Sequence, residues 1–124
     1  MIQRFTVNVQ PTSEWGMNKV YAGKHWSVRK TQAHQMHLIV RAAIRQQIKK
    51  PMMYTQPVSV RIRYDSRLDI DNHGYLAKLI IDGMKGVLIE EDDRRYVKQL
   101  VQEFHSMGKD RIFVEVEEYE NDKQ

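Results

Sequence analysis

Residues 58–64, VSVRIRY, alternate without interruption. Val58, Val60, Ile62 and Tyr64 fall on one side, and Ser59, Arg61 and Arg63 on the other. Side chains in a strand repeat with a period of two, so this segment reads as a strand with one apolar and one basic face. A sheet built on it buries one face and leaves the other in water. The cover has to come from elsewhere in the chain, and two segments have helical periodicity. In residues 27–50, Ala33, Met36, Val40, Ala43 and Ile48 form an apolar stripe, with Arg41, Arg45, Lys49 and Lys50 away from it. Ser27 is the expected N-cap and Pro51 the stop. In residues 75–85, Leu76, Leu79, Ile80 and Gly83 share one side and Lys78, Asp82 and Lys85 the other, with Gly86 as the expected C-cap.

Three further strands are expected: 3–9, carrying Phe5, Val7 and Val9, then 95–104 and 111–118. A turn around Ser106–Asp110 joins the last two, and residues 10–26 read as a long loop. The order β-loop-α-β-α-β-β in 124 residues predicts one compact domain over 1–124. Its class is α/β, or α+β, with a mixed sheet and two main helices. No internal repeat or linker interrupts it.

The net charge of +4 is unevenly placed. The acidic C-terminal end, 115–124, holds Glu115, Glu117, Glu118, Glu120 and Asp122. Residues 1–114 carry 19 basic against 11 acidic side chains, a net +8. Such a body suits a polyanionic partner, although basic charge also serves plain solubility. The chain has no cysteine, which excludes disulfides and thiolate metal sites and permits a reducing compartment. The start, MIQRFTVNVQ, lacks the apolar run of a signal peptide, and no stretch approaches the ~20 apolar residues of a membrane span. A cytoplasmic protein without a membrane partner is expected.

The most informative chemistry lies in Asp69-Ile70-Asp71-Asn72. Two aspartates two apart in an extended segment project to the same side and can converge on one hard cation. Mg²⁺ takes oxygen ligands and keeps several waters, so two or three carboxylates suffice. A second cluster, Glu90-Glu91-Asp92-Asp93, precedes a predicted strand and would complete such a site if the fold returned it to Asp69 and Asp71. The competing account is local: Asp71 or Asn72 capping the next helix, and Asp92-Asp93 in a solvated turn. An EF-hand is excluded, because the twelfth position of a loop starting at Asp69 is Ile80 rather than Glu. His34 and His37, three apart on the first helix, have no local carboxylate. The serines occupy no nucleophile motif, and there is no glycine-rich phosphate loop.

Taken together, Asp69-Ile70-Asp71-Asn72, Lys78, Asp82 four residues later, and Asp92-Asp93 before a strand resemble the RusA family of Holliday-junction resolvases. The likeness covers most of the chain, and its specific part is 69–93. It implies a homodimer that cleaves four-way DNA junctions with Mg²⁺ or Mn²⁺. It assigns the metal to Asp69, Asp71 and Asp93, adds Lys78 as an essential residue, and leaves Asp92 pointing elsewhere. His73-Gly74-Tyr75 is an insertion relative to the family pattern, and Lys85 is the alternative to Lys78. Read plainly, Lys78 is a surface lysine paired with Asp82. Arg61, Arg63, Arg67, Lys19 and Lys24 are the candidate contacts to the DNA backbone. Trp15, Trp26 and Met52-Met53-Tyr54 are the candidate dimer surface. Two other readings share much of this pattern: a metal nuclease for other branched DNA, and a non-catalytic basic DNA-binding protein.

Overall fold

A computed structural model describes residues 1–9, 26–65, 74–104 and 111–120. The elements are β1 (Ile2–Val7), α1 (Trp26–Gln47), β2 (Val58–Tyr64), α2 (Gly74–Met84), β3 (Val97–Phe104) and β4 (Ile112–Glu118). They form the predicted α/β arrangement, one four-stranded mixed sheet in the order β1-β4-β2-β3 with two helices. β4 runs antiparallel to both β1 and β2, whereas β2 and β3 are parallel and joined through α2. No helix among the described residues is long and apolar enough to cross a membrane.

The alternation in β2 sets the layering. Val58, Val60, Ile62 and Tyr64 are fully buried, together with Ile112, Val114 and Val116 of β4 and Phe5 and Val7 of β1. Met36, Val40 and Ile44 of α1 and Leu76, Ile80 and Met84 of α2 close over them. Both helices therefore lie on the same face of the sheet. α1 packs against α2 and β1, which leaves β3 thinly covered: Leu100 and Phe104 pair with Val60 and Tyr64 yet stay exposed.

The structure adjusts several expected boundaries. α1 starts at Trp26, so Ser27 falls within the first turn instead of capping it, and the helix ends at Gln47 rather than at residue 50. Pro51 accounts for the early end, because its ring crowds the carbonyl of residue 47 and disfavours helical backbone at residue 50. The Gln47 amide donates to the Thr6 carbonyl and accepts from the Thr6 N–H, both at 2.7 Å, on the free edge of β1. Gln3, buried beside Phe5, makes the same two-point bracket with the backbone of Met52, at 2.8 and 3.0 Å. Tyr54 is also buried, its hydroxyl donating to the Val116 carbonyl at 2.6 Å, so of the Met52–Tyr54 segment only the two methionines are exposed.

Beyond α2 the chain reverses tightly. The Met84 carbonyl accepts from the amides of Val87, Leu88 and Ile89. Gly86 takes φ +79°, a region that costs any residue with a Cβ, and fills the capping role expected of it. Arg41 of α1 donates to the Lys85 carbonyl at 2.8 Å, which satisfies a free acceptor at the end of α2. The helices meet most closely at Gly83, where an added Cβ would lie 2.8 Å from the Val40 Cβ.

Gly83→Ala tests this contact. Alanine in a helix gains about 1 kcal/mol of propensity over glycine. The clash is with a branched Cβ that cannot swing aside, and overpacking typically costs ~1–3 kcal/mol. Net destabilisation is expected by urea denaturation, and adding Val40→Ala should yield a double variant less destabilised than the two single effects combined.

Candidate functional site

The βαβ unit positions the residues singled out above. Residues 66–73 leave from the Tyr64 end of β2 and lead into α2 at Gly74. Asp69, Asp71 and Arg67 belong to that connection and lie outside the described residues, as do Lys19, Lys24 and Trp15 in 10–25. α1 and α2 start at the same end of the molecule and run side by side. The Tyr75 hydroxyl lies 3.3 Å from Gln32 Oε1 and 3.5 Å from the Arg29 carbonyl at the start, and Arg41 holds the Lys85 carbonyl at the finish. The starts of the two helices thus lie together, and the chain reaches α2 from the carboxyl end of β2. In open α/β sheets, ligands commonly bind at the carboxyl ends of the strands.

Lys78 lies on the exposed side of α2, its Nζ 3.5 Å from Asp82 Oδ2. The next contact is with the second acidic cluster. Asp82 is hydrogen-bonded to Asp92, and Lys85 Nζ lies 4.0 Å from Asp92 Oδ1. Burial, then the bond to Asp92, raises the pKa of Asp82, while Lys78 and Lys85 pull it back. The same bond lowers the pKa of Asp92, helped by Lys85. Of the pair, Asp82 is therefore the weaker acid. Of the two adjacent aspartates, it is Asp92 that faces the helix carrying Lys78.

Asp93 is placed differently. Its carbonyl accepts from the amides of Tyr96 and Val97 at the start of β3, and Val58 N–H donates to the Tyr96 carbonyl, so Asp93 sits at the Val58 end of β2. The D-x-D connection leaves from the other end, roughly 20 Å along a seven-residue strand. Asp93 Oδ1 accepts from the Arg95 amide at 2.9 Å, an Asx turn, and the Arg95 guanidinium grips both carboxylate oxygens at 3.1 and 2.8 Å. This clamp holds the Asp93 pKa down at about 2. The signal for it, an aspartate two residues before an arginine in a turn, was present in the sequence.

Arg61 and Arg63 lie on the outer face of the sheet, opposite the helices, in a ladder of charges that crosses all four strands. Arg4 Nε meets Glu115 at 3.5 Å, and Arg63 Nη1 meets the same oxygen at 2.8 Å. Arg63 Nε and Arg61 Nε then share Glu103 at 3.3 and 3.2 Å. A groove of about 240 Å³ beside this ladder is lined by Glu115, Glu117, Glu118 and Glu120 along with Arg61. The basic face of β2 is thus largely neutralised by its neighbours.

A Mg²⁺ ion would need oxygen donors, and Asp82 and Asp92 show that this chain holds two carboxyls in contact between lysines. Among the described residues no group of three side chains could hold a metal. Asp69 and Asp71, which the resemblance assigns to the metal, lie outside the described residues. No protein-family model matches this sequence, and no curated protein matches it.

The Asp93 clamp gives a direct measurement. By carbonyl-detected NMR, the Asp93 carboxyl should titrate at about 2 and move up toward ~3.9 in Arg95→Ala. A folded-state pKa below the unfolded one stabilises the chain at pH above ~3.9 and is lost as pH falls toward 2. Arg95→Ala should therefore weaken the fold slightly at neutral pH and not at pH below 2.

Proposed function

We propose that this chain is a Mg²⁺-dependent endonuclease, similar to the RusA resolvases, that hydrolyses phosphodiester bonds in branched DNA. Four-way junctions are the expected substrate and a homodimer the expected form. One observation carries the reading. The helix that follows D-x-D-N presents Lys78 and Asp82 outward, and the second acidic cluster returns to it through Asp92. These contacts bring Lys78, Asp82 and Asp92 of the pattern together, whereas Asp93, the residue that the resemblance assigns to the metal, is held by Arg95.

In this reading Asp69 and Asp71 hold the metal, and the 92–93 pair supplies a third carboxylate. A Mg²⁺ ion held by these carboxylates would supply an activated water and offset charge on the phosphate oxygens. Lys78 adds positive charge beside the scissile phosphate, and Asp82 fixes the height of that ammonium on the helix. Asp92 meets Asp82 on the helix that carries Lys78, whereas Asp93 is held by Arg95 at the Val58 end of β2. A symmetric junction needs two cuts, which a two-fold dimer provides in matched geometry.

Asp71→Asn removes one ligand charge and keeps the shape. Cleavage of a four-way junction in Mg²⁺ should be abolished, with binding in Ca²⁺ or chelator retained or strengthened, because one acid fewer repels phosphate. Lys78→Ala should also lose cleavage without any gain in binding. Single Asn substitutions at 92 and 93 identify the third ligand, which is the position whose loss abolishes cleavage. Full cleavage by Asp71→Asn would remove the catalytic reading and leave a DNA-binding protein.

A further inference from the structure

Among the described residues, positive charge is not spread evenly over the two faces of the sheet. On the sheet, Arg4, Arg61 and Arg63 are paired with Glu103 and Glu115, and the adjoining groove is acidic. On the helix layer the balance is reversed. α1 has 22 residues and contains no Asp or Glu. Lys30, His34, His37, Arg41 and Arg45 recur along it at intervals of three or four, within an arc of about 80° at 100° per residue. His34, Arg41 and Arg45 make no ion pair among the described residues, and Lys85 of α2 adds a further cation beside His37 and Arg41.

From this we propose that the DNA phosphate backbone docks on the α1 stripe of Lys30, His34, His37, Arg41 and Arg45, alongside α2, and not on the arginine face of the sheet. The inference rests on the nuclease reading and names the surface that holds its substrate. Two details fix the direction of the stripe. The helices run side by side, with Tyr75 against Gln32 and Arg29 at one end and Arg41 on Lys85 at the other. The stripe therefore leads from Lys85 toward the end where residues 66–73 enter α2. A backbone laid along it reaches the start of α2 at Gly74. The density of charge is felt by His37: burial lowers its pKa first, and Arg41, His34 and Lys85 lower it further. A phosphate there would relieve that mutual repulsion. On the sheet, by contrast, a phosphate would have to displace Glu103 or Glu115 before meeting Arg61 or Arg63.

The test is fluorescence anisotropy of the full chain on a labelled four-way junction, in chelator, over a range of KCl. The α1 variant is His34→Glu/Arg45→Glu, at two exposed positions that make no ion pair among the described residues. The milder His34→Gln/Arg45→Gln keeps helix propensity and guards against a folding defect. The sheet variant is Arg4→Gln/Arg61→Gln. Affinity should fall by about tenfold or more in the reversal variant and by less in the glutamine variant. Loss of one phosphate contact at Arg45 should flatten the slope of log K against log salt by about 0.9. The sheet variant should bind within about twofold of the parent chain. Loss of binding in the sheet variant alone would overturn the proposed surface while the nuclease reading stands. A parent chain that binds no DNA would overturn both, and so would one that is retained only by phosphatidylserine vesicles.

Discussion

Only one face of this sheet is apolar, and both helices have to share it. Val58, Val60, Ile62 and Tyr64 point the same way because a strand repeats every two residues, and their neighbours on β1 and β4 follow by register. A parallel connection between β2 and β3 needs a crossover, so α2 must lie over the strands it joins. The remaining apolar surface, over β1 and β4, falls to α1. The two helices then lie in contact, and their separation is set by whichever side chain stands between them. At the closest point that side chain is absent: Gly83 lets Val40 approach to a distance no Cβ would allow.

This packing decides where charge can be used. A sheet face left to water brings the side chains of adjacent strands close together, so acids and bases on it find each other. The ladder from Arg4 through Glu115, Arg63 and Glu103 to Arg61 is the result. Such exposed pairs add little stability, but they cancel potential. A helix with no acid of its own cannot cancel its charge internally, and α1 is such a helix. The sign of a strand read alone is therefore a poor guide to the sign of a sheet. Arg61 and Arg63 look basic in sequence because Glu103 and Glu115 are roughly 40 to 50 positions away.

What was legible in the sequence followed periodicity. All six elements were expected in their order, and the apolar sides of β2 and α2 were assigned correctly, because period 2 and period 3.6 are local properties. Errors came where a distant partner intervened. The Gln47 amide is taken up by Thr6 at the end of α1, and Ile44 joins the core beyond the stripe read from sequence. Tyr54 is drawn inward by the Val116 and Met1 carbonyls. Within the candidate site, the pairing of Lys78 with Asp82 followed from helical spacing, whereas the orientations of Asp92 and Asp93 depended on which element each turn met. Adjacent residues on one strand-initiating turn cannot face the same neighbour, and sequence does not say which one does.

The Gln47 bracket has a bearing on how this chain meets others. β1 is an edge strand, and an edge offers a row of N–H and C=O groups on which a foreign strand can grow. At Thr6 both groups are already occupied by a side-chain amide that imitates a strand in miniature, offering one donor and one acceptor and then ending. A newcomer would have to evict it and, in doing so, loosen the end of α1 from the sheet. The margin is hemmed by a single glutamine, so recruitment of this strand into a larger assembly is coupled to fraying of the helix beside it.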